Sequence, residues 1–76
     1  MNENNLPRLQ RIFREVLDSP DLKISSADSP GDLPGWDSVA TVQIVLAVEQ
    51  EFSIRLSTET VANIKSVADL LAALPD

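Results

Sequence analysis

The sequence predicts an all-α fold: a small four-helix bundle, three main helices plus one short helix, with a long ordered loop between helices one and two. Apolar residues recur at helical spacing in three separate stretches, and the loop chemistry is gathered into one segment. The alternating stretch Ser53-Ile54-Arg55-Leu56 has no second strand-like segment to pair with, so it reads as an extended connector with Ile54 and Leu56 turned inward.

Helix one is expected from Leu6 to Leu17, because Leu9, Ile12, Phe13, Val16 and Leu17 follow the spacing of a single buried face and Pro7 is tolerable in a first turn. Its arginines, Arg8, Arg11 and Arg14, fall outside that stripe and read as a solvated face, with a docking site as the alternative. The segment Asp18 to Gly35 holds three of the five prolines, both glycines and several Asp and Ser residues, which is turn chemistry. Leu22, Ile24 and Leu33 are placed to pin this loop to the core. Helix two runs from Ser38 to about Phe52, uninterrupted by Gly or Pro, with Ile44, Val45, Val48 and Phe52 on one side of the wheel and Asp37 as N-cap. A short helix is expected over Ser57 to Ala62, with Ser57 or Thr58 as cap. The last begins at Ser66-Val67-Ala68-Asp69, buries Val67, Leu70, Leu71 and Leu74, and stops at Pro75.

Seventy-six residues make one domain, 1–76, too small to enclose a deep substrate cleft. The chain has no cysteine and no histidine, which removes disulfides, cysteine-held zinc and the commonest general base, so an autonomous enzyme is not expected. The N-terminus is polar and no apolar run reaches the length of a membrane span, so the expected location is cytoplasmic, away from membranes. The formal charge is −6, with residues 1 to 17 at +1 and residues 18 to 76 at −7. Such a field repels phosphate backbones and favours basic partner surfaces, so nucleic acid is not an expected ligand.

Helix two carries more apolar residues than one buried stripe needs. On a wheel of about 100° per residue, Val39 and Leu46 lie almost in line opposite the core side, flanked by Gln43, Ala47 and Gln50. A bundle this small cannot cover every side of a helix, so Val39 and Leu46 should be partly exposed. Periodicity alone leaves open whether they form a partner site or are scattered surface residues. Asp37-Ser38 lies at the junction of loop and helix, where free amides and the helix dipole favour an anion; a phosphate ester on Ser38 and a plain capping role both fit. Without a histidine to take its proton, Ser38 is not a self-activated nucleophile. If it is used, another protein performs the chemistry on it.

The stretch Asp32-Leu33-Pro34-Gly35-Trp36-Asp37-Ser38-Val39, followed by Val42, Ile44-Val45, Ala47-Val48-Glu49, Glu51-Phe52, Ile54 and Leu56, resembles the centre of acyl carrier proteins. The pattern extends over nearly the whole chain, to Val67-Ala68-Asp69-Leu70-Leu71. The resemblance implies that a phosphopantetheinyl transferase moves a 4'-phosphopantetheine arm from coenzyme A to the hydroxyl of Ser38, with Asp37 assisting through metal binding during the transfer. Acyl groups are then held as thioesters on the thiol of the arm, which explains how a cysteine-free chain could do thioester work. It further implies that acyl-loading and acyl-processing enzymes read helix two, with Trp36, Val39, Gln43 and Leu46 as the partner-binding set. Val45, Leu56, Val61 and Ile64 would line an acyl pocket, and the chain itself would be a free-standing monomer.

The sequence departs from fatty-acid carriers in ways that bear on pathway. Those carriers usually have Leu directly after the serine and acidic residues two and five positions after it; here the positions are Val39, Ala40 and Gln43. Trp36 stands where they more often have a small or aliphatic residue, and reads either as a plug holding the loop or as a partner contact. These departures favour a specialised pathway over housekeeping fatty-acid synthesis. The alternatives are a peptidyl, aminoacyl or D-alanyl carrier and, from another class, a non-enzymatic helical adaptor that never carries the arm.

Overall fold

The computed structural model describes residues 2–75, with side chains from 4 to 75; Met1 and Asp76, counted in the expected domain, lie outside the described residues. A 3-10 turn, Asn2–Asn5, leads into α1 (Leu6–Val16), followed by α2 (Ser38–Phe52), α3 (Thr58–Ala62) and α4 (Val67–Ala73). The described residues contain helices and no strand, as the periodicity predicts.

Each boundary has a local cause. α1 ends one residue before the expected Leu17, because Asp18 adopts the left-handed conformation (φ 51°). The amide of Ser19 then reaches back to the carbonyl of Arg14 at 2.9 Å, which closes the last turn. α2 has the predicted bounds. Its end is made the same way: Ser53 is left-handed (φ 55°) and the Ile54 amide donates to the Glu49 carbonyl at 3.1 Å. α3 starts after Ser57, whose hydroxyl accepts from the Thr60 amide at 3.1 Å, and none of its residues is buried. α4 starts after Ser66, whose Oγ accepts from the Asp69 amide at 3.3 Å, while an Asp69 carboxylate oxygen accepts from Lys65 at 2.8 Å.

The core is drawn from α1, α2, α4 and the loop: Leu9, Phe13, Ile44, Val48, Val67 and Leu70 are almost fully buried. Burial of each such side chain favours folding by about 1.5–3 kcal/mol relative to exposure. The loop is ordered by the residues expected to pin it, with Ile24, Leu33 and Trp36 buried and Leu22 half-buried. Backbone ties complete its attachment. The carbonyls of Asp28 and Ser26 accept from the Val67 and Ala68 amides at 2.9 and 3.0 Å, so the loop caps the first turn of α4.

The arginines of α1 do more than face solvent. Arg8 reaches Glu51 of α2 with an ion pair at 3.0 Å and lies 4.2 Å from the centre of the Phe52 ring, and Arg11 joins the same carboxylate at 3.3 Å. Arg14 donates from Nε to the Leu22 carbonyl at 2.6 Å. Asn5, buried in the opening turn, donates from Nδ2 to the Pro75 carbonyl at 2.8 Å, fastening the two ends of the described chain together.

Candidate functional site

The junction before α2 is built by a turn, a cap and a plug. Pro34 and Gly35 occupy the centre of a turn closed by the Trp36 amide on the Leu33 carbonyl at 3.2 Å. Gly35 has φ 85°, the value a type II turn needs at that place and one a side chain would strain. The turn delivers Trp36 inward. Its ring meets Phe13 edge to face, with centroids 5.0 Å apart and planes at 88°. Its indole N–H donates to Thr41 Oγ1 at 2.8 Å, and that hydroxyl donates to the Asp37 carbonyl at 2.9 Å. One hydroxyl thus links the plug to the first turn of α2.

Asp37 is extended and acts as N-cap: its Oδ1 accepts from the Ala40 amide at 2.9 Å. Ser38 follows as the first helical residue, and its side chain is exposed. Among the described residues no hydrogen bond ties the Ser38 hydroxyl or the second Asp37 oxygen, Oδ2. The first-turn amides of Ser38 and Val39 lack intrahelical partners by construction of a helix, and they stand at its positive end. An exposed hydroxyl with free amides beside it suits a phosphodiester: the group's charge falls where the helix favours an anion, and the rest of a long substituent meets no wall.

Beyond Ser38, α2 carries the exposed apolar face that the wheel places opposite the core. Val39 is 66%, Val42 53% and Leu46 58% exposed, with Gln43 and Gln50 exposed beside them. Val42 belongs to this face although the wheel reading named only Val39 and Leu46; it falls about 60° from Val39 on the same side, which is the signal that identifies it. The face runs into an open depression of about 540 Å³ lined by Leu46, Glu49, Gln50, Ser53, Ile54 and Arg55.

Two expectations need correction. Trp36, offered as a partner contact, is only 4% exposed and so presents no docking surface; its place against Phe13 is that of the plug. Ala40, counted as a missing acid of the recognition face, is 6% exposed and belongs to the core, so only Gln43 bears on the charge of the exposed side. The four pocket candidates divide evenly. Val45 and Ile64 are buried in the core, while Leu56 and Val61 are partly buried and packed against it.

Comparison with known proteins gives these features a context. Residues 7–74 match a family described as "Phosphopantetheine attachment site". The acyl carrier protein of Phaeodactylum tricornutum is 30% identical over 69 residues, covering 91% of each chain. That of Buchnera aphidicola is 38% identical over 60 residues, covering 79% of this chain and 75% of that one. The Caulobacter vibrioides acyl carrier protein is 34% identical over 64 residues, covering 84% and 82%. Among solved structures, the solution NMR structure of a holo acyl carrier protein from Geobacter metallireducens matches with a TM-score of 0.81 at 26% identity, covering 90% of this chain and 78% of that one. The family match, the likeness to relatives over nearly the whole length and the shared fold agree, and the chain belongs to the acyl carrier protein family, whose members carry phosphopantetheine and are not themselves catalysts.

Proposed function

We propose that Ser38 takes the phosphopantetheine arm, and that the chain then presents acyl intermediates, held as thioesters, to partner enzymes of a specialised pathway. The observation that carries this reading is the exposed Ser38 hydroxyl at the first position of α2, directly behind a capping aspartate. The group, when bound, supplies the thiol that the cysteine-free chain lacks. The protein's own residues position and expose. Asp37 fixes the helix start with Oδ1, which leaves Oδ2 to face a transferase and its metal ion. The Trp36–Thr41–Asp37 chain of hydrogen bonds holds that start against the core, so the serine is offered from a rigid end.

Val39, Gln43 and Leu46, joined by Val42, form the surface that loading and processing enzymes read in an aqueous compartment, with the carrier acting as a monomer. A cargo chain entering between α2 and α3 has to part Val45, Leu56, Val61 and Ile64, which pack in or on the core. The specialised assignment rests on Gln43, a neutral residue where a fatty-acid carrier would expose an acid.

Intact mass spectrometry after incubation with coenzyme A, magnesium and a broad-specificity phosphopantetheinyl transferase tests the attachment. One phosphopantetheine should add to the native chain and none to Ser38→Ala. Absence of any addition to the folded native chain would favour the adaptor. Rescue of a strain lacking its fatty-acid carrier would sink the specialised assignment while leaving the attachment intact.

A further inference from the structure

We infer that the enzymes served by this carrier meet α2 through an apolar, uncharged surface and not through a groove of lysines and arginines. The inference rests on the reading that α2 is the partner face and adds the chemistry of what docks there. Both carboxylates of α2 itself are engaged within the chain, and the exposed cap residue Asp37 is engaged through one oxygen only. Asp37 Oδ1 accepts from the Ala40 amide at 2.9 Å. Glu49 Oε2 accepts from the Leu56 amide at 2.8 Å, which fastens the connector after α2. Glu51 Oε2 takes both Arg8 and Arg11, at 3.0 and 3.3 Å. The last of these is neutralised twice over and lies on the side of α2 that faces α1.

What remains outward is Val39, Val42 and Leu46 with Gln43 and Gln50 beside them, a strip that offers apolar area and amide hydrogen bonds. At its far end the depression under Leu46 brings in the half-buried Ile54 and the exposed Arg55, and among the described residues Arg55 has no ion-pair partner. The Glu49 carboxylate lines the same depression, so the two charges offset each other there and a basic groove gains little from that end. The net charge of −6 does not contradict this. Exposed Asp18, Asp21 and Asp32 sit in the loop and not on α2, so the overall field can hasten encounters with a basic protein without pairing charge for charge on the strip itself. The complementary partner therefore has a shallow apolar surface with neutral hydrogen-bonding groups opposite the two glutamines, and an apolar side chain placed to enter the depression beside Ile54.

The test uses the holo chain, made with the broad-specificity transferase and verified by mass, as substrate for a malonyl-transferring enzyme of a fatty-acid synthase that docks carriers in a Lys/Arg groove. Malonyl transfer is followed by mass at about 50 and about 500 mM NaCl, which takes the Debye length from roughly 14 Å to roughly 4 Å. For the native chain, kcat/KM should fall between the two salts only by what the overall field adds to encounter, clearly less than for the double variant below. The double variant Gln43→Glu/Arg55→Glu, which gives the strip the charge such a groove seeks, should gain about fivefold or more at low salt and lose the gain at high salt. Val42→Gln and Leu46→Gln, neutral changes at exposed positions that leave the fold intact, should lower kcat/KM about tenfold at both salts. Thermal melts of the variants verify that folding is unchanged.

A native chain whose kcat/KM falls with salt as steeply as that of the double variant, or a Val42→Gln chain served as well as the native one, overturns the inference. A chain that takes no phosphopantetheine overturns the attachment reading instead, and the mass measurement tells the two failures apart.

Discussion

α1 and α2 each bury an apolar face against the other, yet they use their outer faces in opposite ways. Much of the polar side of α1 makes ties within the chain: Arg8 and Arg11 hold Glu51, Arg14 holds the Leu22 carbonyl, and Gln10 accepts from the Ile24 amide at 3.0 Å. The outer side of α2 keeps its valines and leucine in solvent, while its acids turn to tasks within the chain. A helix with one apolar stripe is a structural element, whereas one that is apolar on two sides has a second surface to offer.

The contrast can be broken most strongly from the core. Phe13→Ala on α1 removes a fully buried ring together with the edge contact to Trp36, and is expected to cost about 3–5 kcal/mol in denaturant unfolding, enough to threaten folding of so small a chain. At the junction, Asp37→Ala should cost about 1 kcal/mol by loss of the cap. Asp37→Asn should keep most of that stability, so a loss of transferase rate in the asparagine variant, without a loss of stability, would separate the carboxylate's part in the transfer from its part in the helix. Trp36→Phe keeps the plug and removes the bond to Thr41, with an expected cost of about 1 kcal/mol. A double-mutant cycle with Thr41→Val should show that the two losses are shared and not additive. Glu51→Gln loosens the tie between the helices by less than about 1 kcal/mol, and the effect should shrink in high salt. Leu46→Ala, with its side chain already in solvent, should leave unfolding within about 0.5 kcal/mol of native while reducing partner turnover. A larger unfolding cost at Leu46 than at Trp36 would erase the distinction between the two faces.

The helices were legible because their signals are local. The cap at Asp37, the uninterrupted run to Phe52 and the stop at Pro75 need no knowledge of the rest of the chain, and the bounds they predict match the structure to within a residue. The loop's anchors, Ile24 and Leu33, were legible for the same reason. What the sequence concealed depends on contacts made across it. Arg8 and Glu51 are forty-three positions apart, so an arginine that ties two helices together looks the same in sequence as one in solvent. The capping of α4 by loop carbonyls is invisible because main-chain acceptors have no residue signature. Ala40 reads as a recognition position from its distance to Ser38, and its burial becomes evident only when the loop end is seen fastened by Trp36 to that same turn. Val42 differs from these cases. Its exposure could be read from the wheel once the apolar strip is treated as a band instead of a line.

Trp36 is the only tryptophan, and the chain has no tyrosine. Its emission therefore arises from one indole, held edge-on to Phe13 and hydrogen-bonded to the first turn of α2, two residues before the serine. Any event that loosens that turn changes the surroundings of the chromophore and hence its colour and brightness. The carrier has a reporter dye of its own beside Ser38, so changes at the helix start can be followed in real time without a label.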